Sequence, residues 1–302
     1  MDFLDGIEGW RAYTEHQVPA VVRRDVIDVE GSDTLKFLHA ILSQDVMNMV
    51  DGETRWSFLL QPQGKLVAHF RVHRVSPDRV VLDTEAEMGE MLHAAMRRYL
   101  IRTKCTLTLA EALPVLRFYD STRLSDIGRA VPGHPLLGGF DVFGAELPDL
   151  GVDSAIAEIH RVLRGVPAHG SELDESTIPN STGLLGPAVS FTKGCYVGQE
   201  LVERIDSRGG AAPTRLVRFD VEPLTSDALV PPQLPIRLGD QGKALGTVTS
   251  LATDPVTQRS YGLGYVARSV ERGERLGVMP TTQEGASKLT FRVLDDVESG
   301  GR

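Results

Sequence analysis

The sequence predicts an α+β protein in which helices cover antiparallel sheets, followed by a small C-terminal β-barrel. Segments with alternating polar and apolar residues are joined by short turns, as in antiparallel hairpins. Segments with apolar residues at helical spacing lie between them and would cover one face of the sheets. From residue 213 onward the chain reads as five short strands without a convincing helix, which is typical of a small barrel. These strands are predicted at residues 216–221, 236–238, 245–251, 261–266 and 289–294.

The first predicted elements are a strand at residues 21–29 and a helix at residues 34–42. Between them, Gly31-Ser32-Asp33 supplies a turn and a helix cap. Leucines recur in the helix at helical spacing, which predicts packing on the preceding strand. The polar segment 43–46 then ends the helix.

A β-hairpin is predicted from residues 56–60 and 66–75, which flank Gln61-Pro62-Gln63-Gly64-Lys65. Proline at the second turn position and glycine at the fourth favour a type I turn. In the second strand, His69 and His73 project to the same side. A polar sheet face explains both histidines better than a metal site, because no third ligand at suitable spacing is evident.

The rest of the α+β part alternates between strands and helices. The apolar face of the helix at 85–100 contains three methionines and predicts core packing against a sheet. Cys105 is expected to face inward from a strand. Strands are predicted at 79–83, 104–109 and 113–119, a helix at 154–164, irregular structure or short edge strands at 132–144, and a long loop at 171–187.

Composition limits the possible classes of function. With 302 residues and 41% hydrophobic content, the chain can bury a core in two or three units. The net charge of −9 repels a phosphate backbone, so direct nucleic-acid binding is not expected. Apolar runs are too short to span a membrane, and residues 1–10 are acidic where a signal peptide is basic, so a cytoplasmic location is expected.

The most chemically distinctive stretch is Lys193-Gly194-Cys195-Tyr196-Val197-Gly198-Gln199-Glu200. Glycines on both sides of Cys195 permit unusual backbone angles and predict that the thiol lies on an exposed turn. A nearby ammonium favours thiolate over thiol, so Lys193 is expected to activate Cys195. The thiolate is the form that attacks electrophiles or binds a soft metal.

This octapeptide resembles the signature K-G-C-Y-x-G-Q-E of the YgfZ-type folate-binding proteins, relatives of the glycine-cleavage aminomethyltransferase (GcvT). Weaker family-like pieces lie at residues 31–46, 63–65 and 161–208, so the resemblance covers most of the chain. It implies a GcvT-like folate-binding region over residues 1–212, with a ferredoxin-like sheet subdomain at about 52–110. Residues 213–302 are then the barrel domain.

The resemblance also implies a function. The chain would be an accessory protein that binds tetrahydrofolate or another reduced folate and supports iron-sulfur cluster assembly or repair. Iron-sulfur enzymes such as tRNA-modifying ones would benefit, and the partners would be iron-sulfur client proteins or the cluster-assembly machinery. A tetrahydrofolate-dependent aminomethyltransferase-like enzyme is the alternative. A cysteine-based hydrolase needs a histidine base, and only His169 lies near Cys195 in sequence.

Site residues follow from the octapeptide and the resemblance. Cys195 and Lys193 are expected to be the reactive pair, and no metal ligands are expected. Arg204 and Arg208 follow the signature, and a guanidinium there would pair with the glutamate tail of folate. Leu163 stands where the aminomethyltransferases have a pterin-holding glutamate, which predicts an affinity nearer micromolar than nanomolar. The expected folate contacts are Tyr196, Gln199, Glu200, Arg204, Arg161 and Asp83.

Overall fold

The computed structural model describes residues 2–120, 130–144, 146, 148–207, 212–223, 234–240, 243–279 and 289–297. The predicted fold class is confirmed: antiparallel strands with helical cover precede a closed barrel. The helices are α1 Gly6–Glu15, α2 Thr34–Ile41, α3 Gly89–Arg97, α4 Ser154–Arg164, α5 Leu185–Ala188 and α6 Gln199–Ser207, with a 3-10 turn at Pro179–Ser181.

The first sheet has the strand order β3-β4-β5-β2-β6-β8-β7, with antiparallel neighbours throughout. The parallel pair β1 and β9 joins it through β2. Its strands are β1 Asp2–Leu4, β2 Ala20–Glu30, β3 Thr54–Leu60, β4 Leu66–Ser76, β5 Arg79–Glu85, β6 Thr106–Phe118, β7 Ala130–Pro132, β8 Phe140–Phe143 and β9 Leu150–Val152.

The barrel closes in the order β10-β13-β12-β11-β14-β15. Its strands are β10 Thr214–Pro223, β11 Ile236–Asp240, β12 Lys243–Thr253, β13 Ser260–Ala267, β14 Arg275–Val278 and β15 Leu289–Asp296. The sequence predicted all of these except β14, whose glycine and arginine give a weak strand pattern. The domain division at residue 212 and the ferredoxin-like subdomain stay predictions.

The two faces of the first sheet are chemically different because side chains alternate along each strand. On β4, Phe70 and Val72 face a buried core that includes apolar residues of α2 and α3. His69 and Arg71 line a cavity on the opposite side. This face is polar, as predicted, and His69 and Arg71 are both buried on it.

One guanidinium shows how strongly this sheet curves. Arg71 donates to Asp83 on β5, and it also pairs with Asp141 on β8 (2.8 Å) and donates to the carbonyl of Pro132 on β7 (3.1 Å). Because β4 and β7 lie near opposite ends of the strand order, the two ends must come together around this side chain. The curved sheet thereby encloses the cavity.

Several boundaries differ from the predictions. The helix predicted at 85–100 begins only at Gly89, because β5 continues through Glu85 and Glu87 has a left-handed φ of 72°. The strands predicted at 104–109 and 113–119 are one long strand, β6, whose pairing with β2 shifts near Ala112. Cys105 precedes β6 and packs half-buried against the core. Helices α1 and α6 were not predicted.

The helices in the described part of the chain are too short or too polar to cross a membrane. The expected cytoplasmic location stays a prediction.

The Arg71 cluster should dominate the stability of the first sheet. Arg71→Met leaves Asp83 and Asp141 with fewer partners in a buried site, so the free energy of unfolding should fall by about 3–5 kcal/mol. Arg79→Met removes an exposed pair with Asp28 on the same sheet and should change stability little. Urea denaturation measures both, and equal losses would contradict the role assigned to Arg71.

Candidate functional site

A cavity lies on the concave side of the first sheet and has a volume of about 160 Å³. Strands β2, β3, β4 and β6 contribute its floor, and α4 and the segments around residues 134 and 167 contribute its walls. Its polar and aromatic lining consists of Arg23, Arg24, Trp56, His69, Arg71, Glu85, Arg117, His134, Glu158 and Arg161.

The floor of the cavity is a buried charge cluster. Asp83 accepts hydrogen bonds from Arg24 Nε (2.7 Å) and Arg71 Nη2 (2.8 Å), and His73 also contacts it. Asp141 accepts two hydrogen bonds from Arg117. The positive charges of the arginines hold the pKa of both aspartates below their ordinary range despite burial.

Three guanidinium groups lie at the floor of the cavity. Those of Arg24, Arg71 and Arg117 form ion pairs with the carboxylates of Asp83 and Asp141, and the charge of Glu85 also acts on Arg24. Burial lowers the pKa of Arg24, which shares Asp83 with Arg71. The guanidinium donors at the floor favour a ligand that presents electron-rich acceptor atoms.

One wall of the cavity is aromatic. The Trp56 ring stacks on His69, with 4.6 Å between ring centroids, and meets His134 edge-on at 4.8 Å. Burial lowers the pKa of both histidines, that of His134 to about 3, so both imidazoles are neutral at physiological pH. A neutral aromatic wall above a cationic floor suits a flat, polar ring.

Arg161 and Glu172 connect the cavity wall to the barrel. Arg161 donates to Glu158 and to Glu172 (2.9 Å), and Glu172 also accepts hydrogen bonds from the Thr249 and Ser250 hydroxyls on β12 (2.6 Å each). All three nitrogens of the Arg161 guanidinium are bonded within the protein. Its evident role is to shape the wall.

The Cys195 loop lies apart from the cavity, and Cys195 is exposed as predicted. Of the two glycines that flank Cys195, only Gly198 has a backbone conformation and a close contact that require glycine. Gly198 has a φ of 80°, and a Cβ there would lie 2.4 Å from the carbonyl oxygen of Gln61. Gly194 lies in open space, so it serves access to the thiol and not an unusual backbone angle.

Lys193 holds the loop to the end of α2. Its ammonium donates to the carbonyl oxygens of His39 and Leu42 at 2.5 Å each and of Gln44 at 3.3 Å. These carbonyls lie at the C-terminal end of α2, where a cation is favoured. These hydrogen bonds indicate that Lys193 is a structural clamp. Its activation of Cys195 stays a prediction.

Polar side chains of the segment after α2 also support the loop. Ser43 Oγ donates to the carbonyl of Ala188 (2.6 Å), and the Gln44 amide donates to the carbonyl of Pro187 (2.9 Å). Beside them, His39 Nδ1 lies 3.3 Å from Asp45 Oδ1, without hydrogen-bond geometry. This imidazole-carboxylate pair was not predicted, because the approach of His39 to Asp45 depends on how the chain turns after α2.

The remaining loop residues differ in environment. Tyr196 is buried in an apolar cluster with Phe58, which Trp56 also contacts from the side of the cavity. Gln199 accepts a hydrogen bond from the Tyr196 backbone, while Glu200 and Arg204 are exposed on α6. Arg208 lies outside the described residues.

The structure thus separates the expected folate contacts into two groups. Arg161 lines the cavity, and Asp83 lies beneath it. The lining of this cavity does not include Tyr196, Gln199, Glu200 or Arg204. The glutamate tail was expected to pair with a shielded guanidinium, and exposed Arg204 does not provide one.

Known proteins resemble this chain in sequence and in fold, although no protein-family model matches it. It is 28% identical over 284 residues to "Iron-sulfur cluster assembly factor IBA57 homolog, mitochondrial" of Mycosarcoma maydis, covering 80% of this chain and 69% of that protein. It is 23% identical over 303 residues to "tRNA-modifying protein YgfZ" of Klebsiella pneumoniae, covering 90% and 86%. The crystal structure of the glycine cleavage system aminomethyltransferase T of Bartonella henselae matches with a TM-score of 0.78 at 18% identity, covering 96% and 88%.

The chain thus resembles YgfZ and IBA57 proteins in sequence and has the GcvT-like fold.

Most residues that line the cavity were not predicted from the sequence. Arg24, Trp56 and His134 come from separate strands and loops, and nothing in their local sequence marks them as neighbours. The one usable signal was the alternation of His69, Arg71 and His73 on a strand whose other face is apolar. Among the described residues, histidine, cysteine and acidic side chains do not gather into a group of three that could hold a metal ion.

Cys195 should react with iodoacetamide before Cys105. Cys195 is exposed, whereas Cys105 is half-buried and burial raises the pKa of its thiol. We expect at least about a tenfold difference in rate at pH 8. The Cys105→Ser and Cys195→Ser variants identify each thiol by mass spectrometry, and faster labelling of Cys105 would show that the described environments are wrong.

The Lys193 clamp should make stability depend on pH. Burial lowers the pKa of Lys193 from its usual 10.5 to about 8. The unfolded chain then binds this proton more tightly than the folded one, so stability should rise between pH 8 and pH 10.5. Because solvent screens part of the half-buried ammonium, we expect a gain of only about 1–2 kcal/mol.

Denaturant unfolding of the wild type and of Lys193→Met at pH 7 and pH 10 measures this gain as a difference between the two proteins. Lys36→Met on the exposed side of α2 is the matched control. If Lys193→Met shows the same rise in stability as the wild type, Lys193 is not the group that causes it.

Proposed function

We propose that this protein binds a reduced folate in the cavity and uses Cys195 to support iron-sulfur cluster assembly or repair. The observation that carries the proposal is the cavity itself, where the ring of Trp56 lies beside the buried guanidinium groups of Arg24 and Arg71. Two relatives carry names that refer to iron-sulfur cluster assembly and to tRNA modification, and the matched structure is an aminomethyltransferase.

The cavity fits the pteridine end of a folate. Trp56 offers a ring face for stacking, and the arginines and neutral histidines offer polar partners to the edge of a flat heterocycle. The volume of about 160 Å³ is smaller than the roughly 300–1,000 Å³ of pockets that enclose drug-sized ligands. The cavity would therefore hold the ring, and the tail would extend outward.

The tail would pass exposed Arg23 at the edge of the cavity, in place of the expected Arg204. Arg23 donates one hydrogen bond to the carbonyl of Ala112, which holds its guanidinium near the lining. A solvent-screened pair of this kind contributes little affinity. This weak tail contact agrees with an expected affinity in the micromolar range.

Leu163 argues against aminomethyl transfer of the kind found in the relatives. The side chain that was expected to hold the pterin is apolar here, and residue 163 is absent from the cavity lining. Its carbonyl instead accepts a hydrogen bond from Arg218 of the barrel (2.7 Å). Glu158, one turn earlier on α4, supplies a carboxylate to the cavity, but Arg161 already binds it.

Cys195 supplies the reactive group of the proposal. Its thiol is exposed on a loop that Lys193, Ser43 and Gln44 fix in position. A thiolate there can accept a sulfur atom, ligate iron transiently or react with a one-carbon unit. Tyr196 of the loop and Phe58 belong to one apolar cluster, and Trp56 of the cavity packs against it, so side-chain packing links the loop to the cavity.

Two variants separate the two halves of the proposal. Trp56→Leu should lose tetrahydrofolate binding, measured by calorimetry, and should also lose support of iron-sulfur enzymes in cells that lack their own protein of this type. Cys195→Ser should keep its melting temperature and its folate binding but lose that support. Cys105→Ser is the matched control and should keep both activities.

Calorimetry that shows no tetrahydrofolate binding by the wild type would remove the folate half of the proposal. Full support of iron-sulfur enzymes by Cys195→Ser would remove the cysteine half.

A further inference from the structure

Some side-chain nitrogens of the cavity lining have no partner among the described residues. The Nε2 atoms of His134 and His69 are buried and unpaired, and Nη1 of Arg24 makes no hydrogen bond to the described residues. Buried polar groups are almost always paired, because an unpaired one forfeits its hydrogen bond to water. The unpaired nitrogen of His134 therefore needs an explanation.

The protonation state of His134 follows from its neighbours. Its Nδ1 accepts a hydrogen bond from the backbone N–H of Leu136 (3.2 Å), so this nitrogen carries no proton. The ring is neutral, since burial and the charges of Arg117, Arg71 and Arg24 lower its pKa to about 3. A neutral imidazole with an unprotonated Nδ1 has its proton on Nε2. That Nε2–H is buried without a partner.

Arg24 and Arg117 each have one guanidinium nitrogen, Nη1, without a bond to the described residues, but Arg117 makes two hydrogen bonds to Asp141, whereas Arg24 shares Asp83 with Arg71. Arg24 Nε donates to Asp83 Oδ1 (2.7 Å) and its Nη2 to the Asp83 carbonyl oxygen (3.2 Å), but its Nη1 makes no bond to the described residues. By contrast, all three guanidinium nitrogens of Arg71 and of Arg161 are bonded within the protein. Arg24 also lies close enough to His134 for its charge to lower the pKa of that ring.

We infer that Arg24 and His134 form a subsite for an acceptor oxygen, and that this oxygen is the ring carbonyl of a reduced pteridine stacked on Trp56. The inference rests on the proposed function and specifies which edge of the ring enters the cavity. A carbonyl oxygen has two lone pairs and can accept from both donors at once. Its partial negative charge also suits the guanidinium groups beneath it.

The small volume favours a ring carbonyl over a tail carboxylate. About 160 Å³ admits a fused ring, whereas a tail carboxylate could enter only if the ring stayed outside, away from Trp56. Carboxylates are acceptors of the same kind, so the test must distinguish the two sources. An analogue of tetrahydrofolate that carries an amino group in place of the ring carbonyl does so, because both ligands have the same tail.

The experiment compares both ligands on three proteins by calorimetry. His134→Asn removes the Nε2–H but keeps an amide oxygen where Nδ1 accepts from Leu136. His160→Asn changes another buried histidine that is absent from the cavity lining, and it is the matched control. Melting temperatures show that each variant is folded.

For the wild type we expect tetrahydrofolate to bind at least about tenfold more tightly than the amino analogue. The amino group of the analogue is a hydrogen-bond donor and would face the N–H donors of Arg24 and His134. His134→Asn should weaken tetrahydrofolate about five- to tenfold and leave the analogue unchanged, while His160→Asn should affect neither affinity.

Equal binding of both ligands by the wild type would overturn the carbonyl subsite and leave folate binding intact. Equal weakening of both ligands by His134→Asn would assign the donors to the tail carboxylate and would also overturn it. Binding of neither ligand would instead refute the folate half of the proposed function.

Discussion

The ion pair between Arg71 and Asp83 is the interaction on which the cavity depends. Arg71 is 1% exposed, and a guanidinium removed from water is tolerated only where every donor finds a partner. Its partners come from β5, β7 and β8, and its plane lies over the rings of Trp56 and Phe143 at 5.6 Å each. Satisfying this one side chain requires the sheet to curl, and the curl creates the concave side where a ligand can be enclosed.

The same cluster explains the chemical character of the cavity. Arg71 pairs with Asp83 and shares Asp141 with Arg117, while Arg24 shares Asp83 with Arg71. Burial keeps the nearby histidines neutral, so they add no positive charge to the cluster. The side chains that hold the sheet together thus also set the chemistry of the cavity. The Cys195 loop depends on different contacts, chiefly those between Lys193 and the end of α2.

Local patterns were enough to predict the fold class and most elements. The helices at 34–42 and 154–164 were predicted from apolar residues at helical spacing, and the structure has Thr34–Ile41 and Ser154–Arg164. The exposure of Cys195 also followed from its neighbours. The cavity did not, because the meeting of Arg24, Trp56 and His134 depends on sheet curvature, which local patterns do not encode. Helix α6 was missed since few apolar residues mark its one buried position, Val202.

Glu172 has a consequence for any attempt to dissect the molecule. One of its carboxylate oxygens is held by hydroxyls of β12, and the other by Arg161 and the Ala168 amide. Arg218 of β10 adds a bond to the end of α4. A fragment ending at residue 212 would keep every strand of the first sheet, yet Glu172 would lose its hydroxyl donors and Arg161 would lose Ser250. The cavity wall would then lack part of its support, so the smallest fragment suitable for ligand studies must include the barrel.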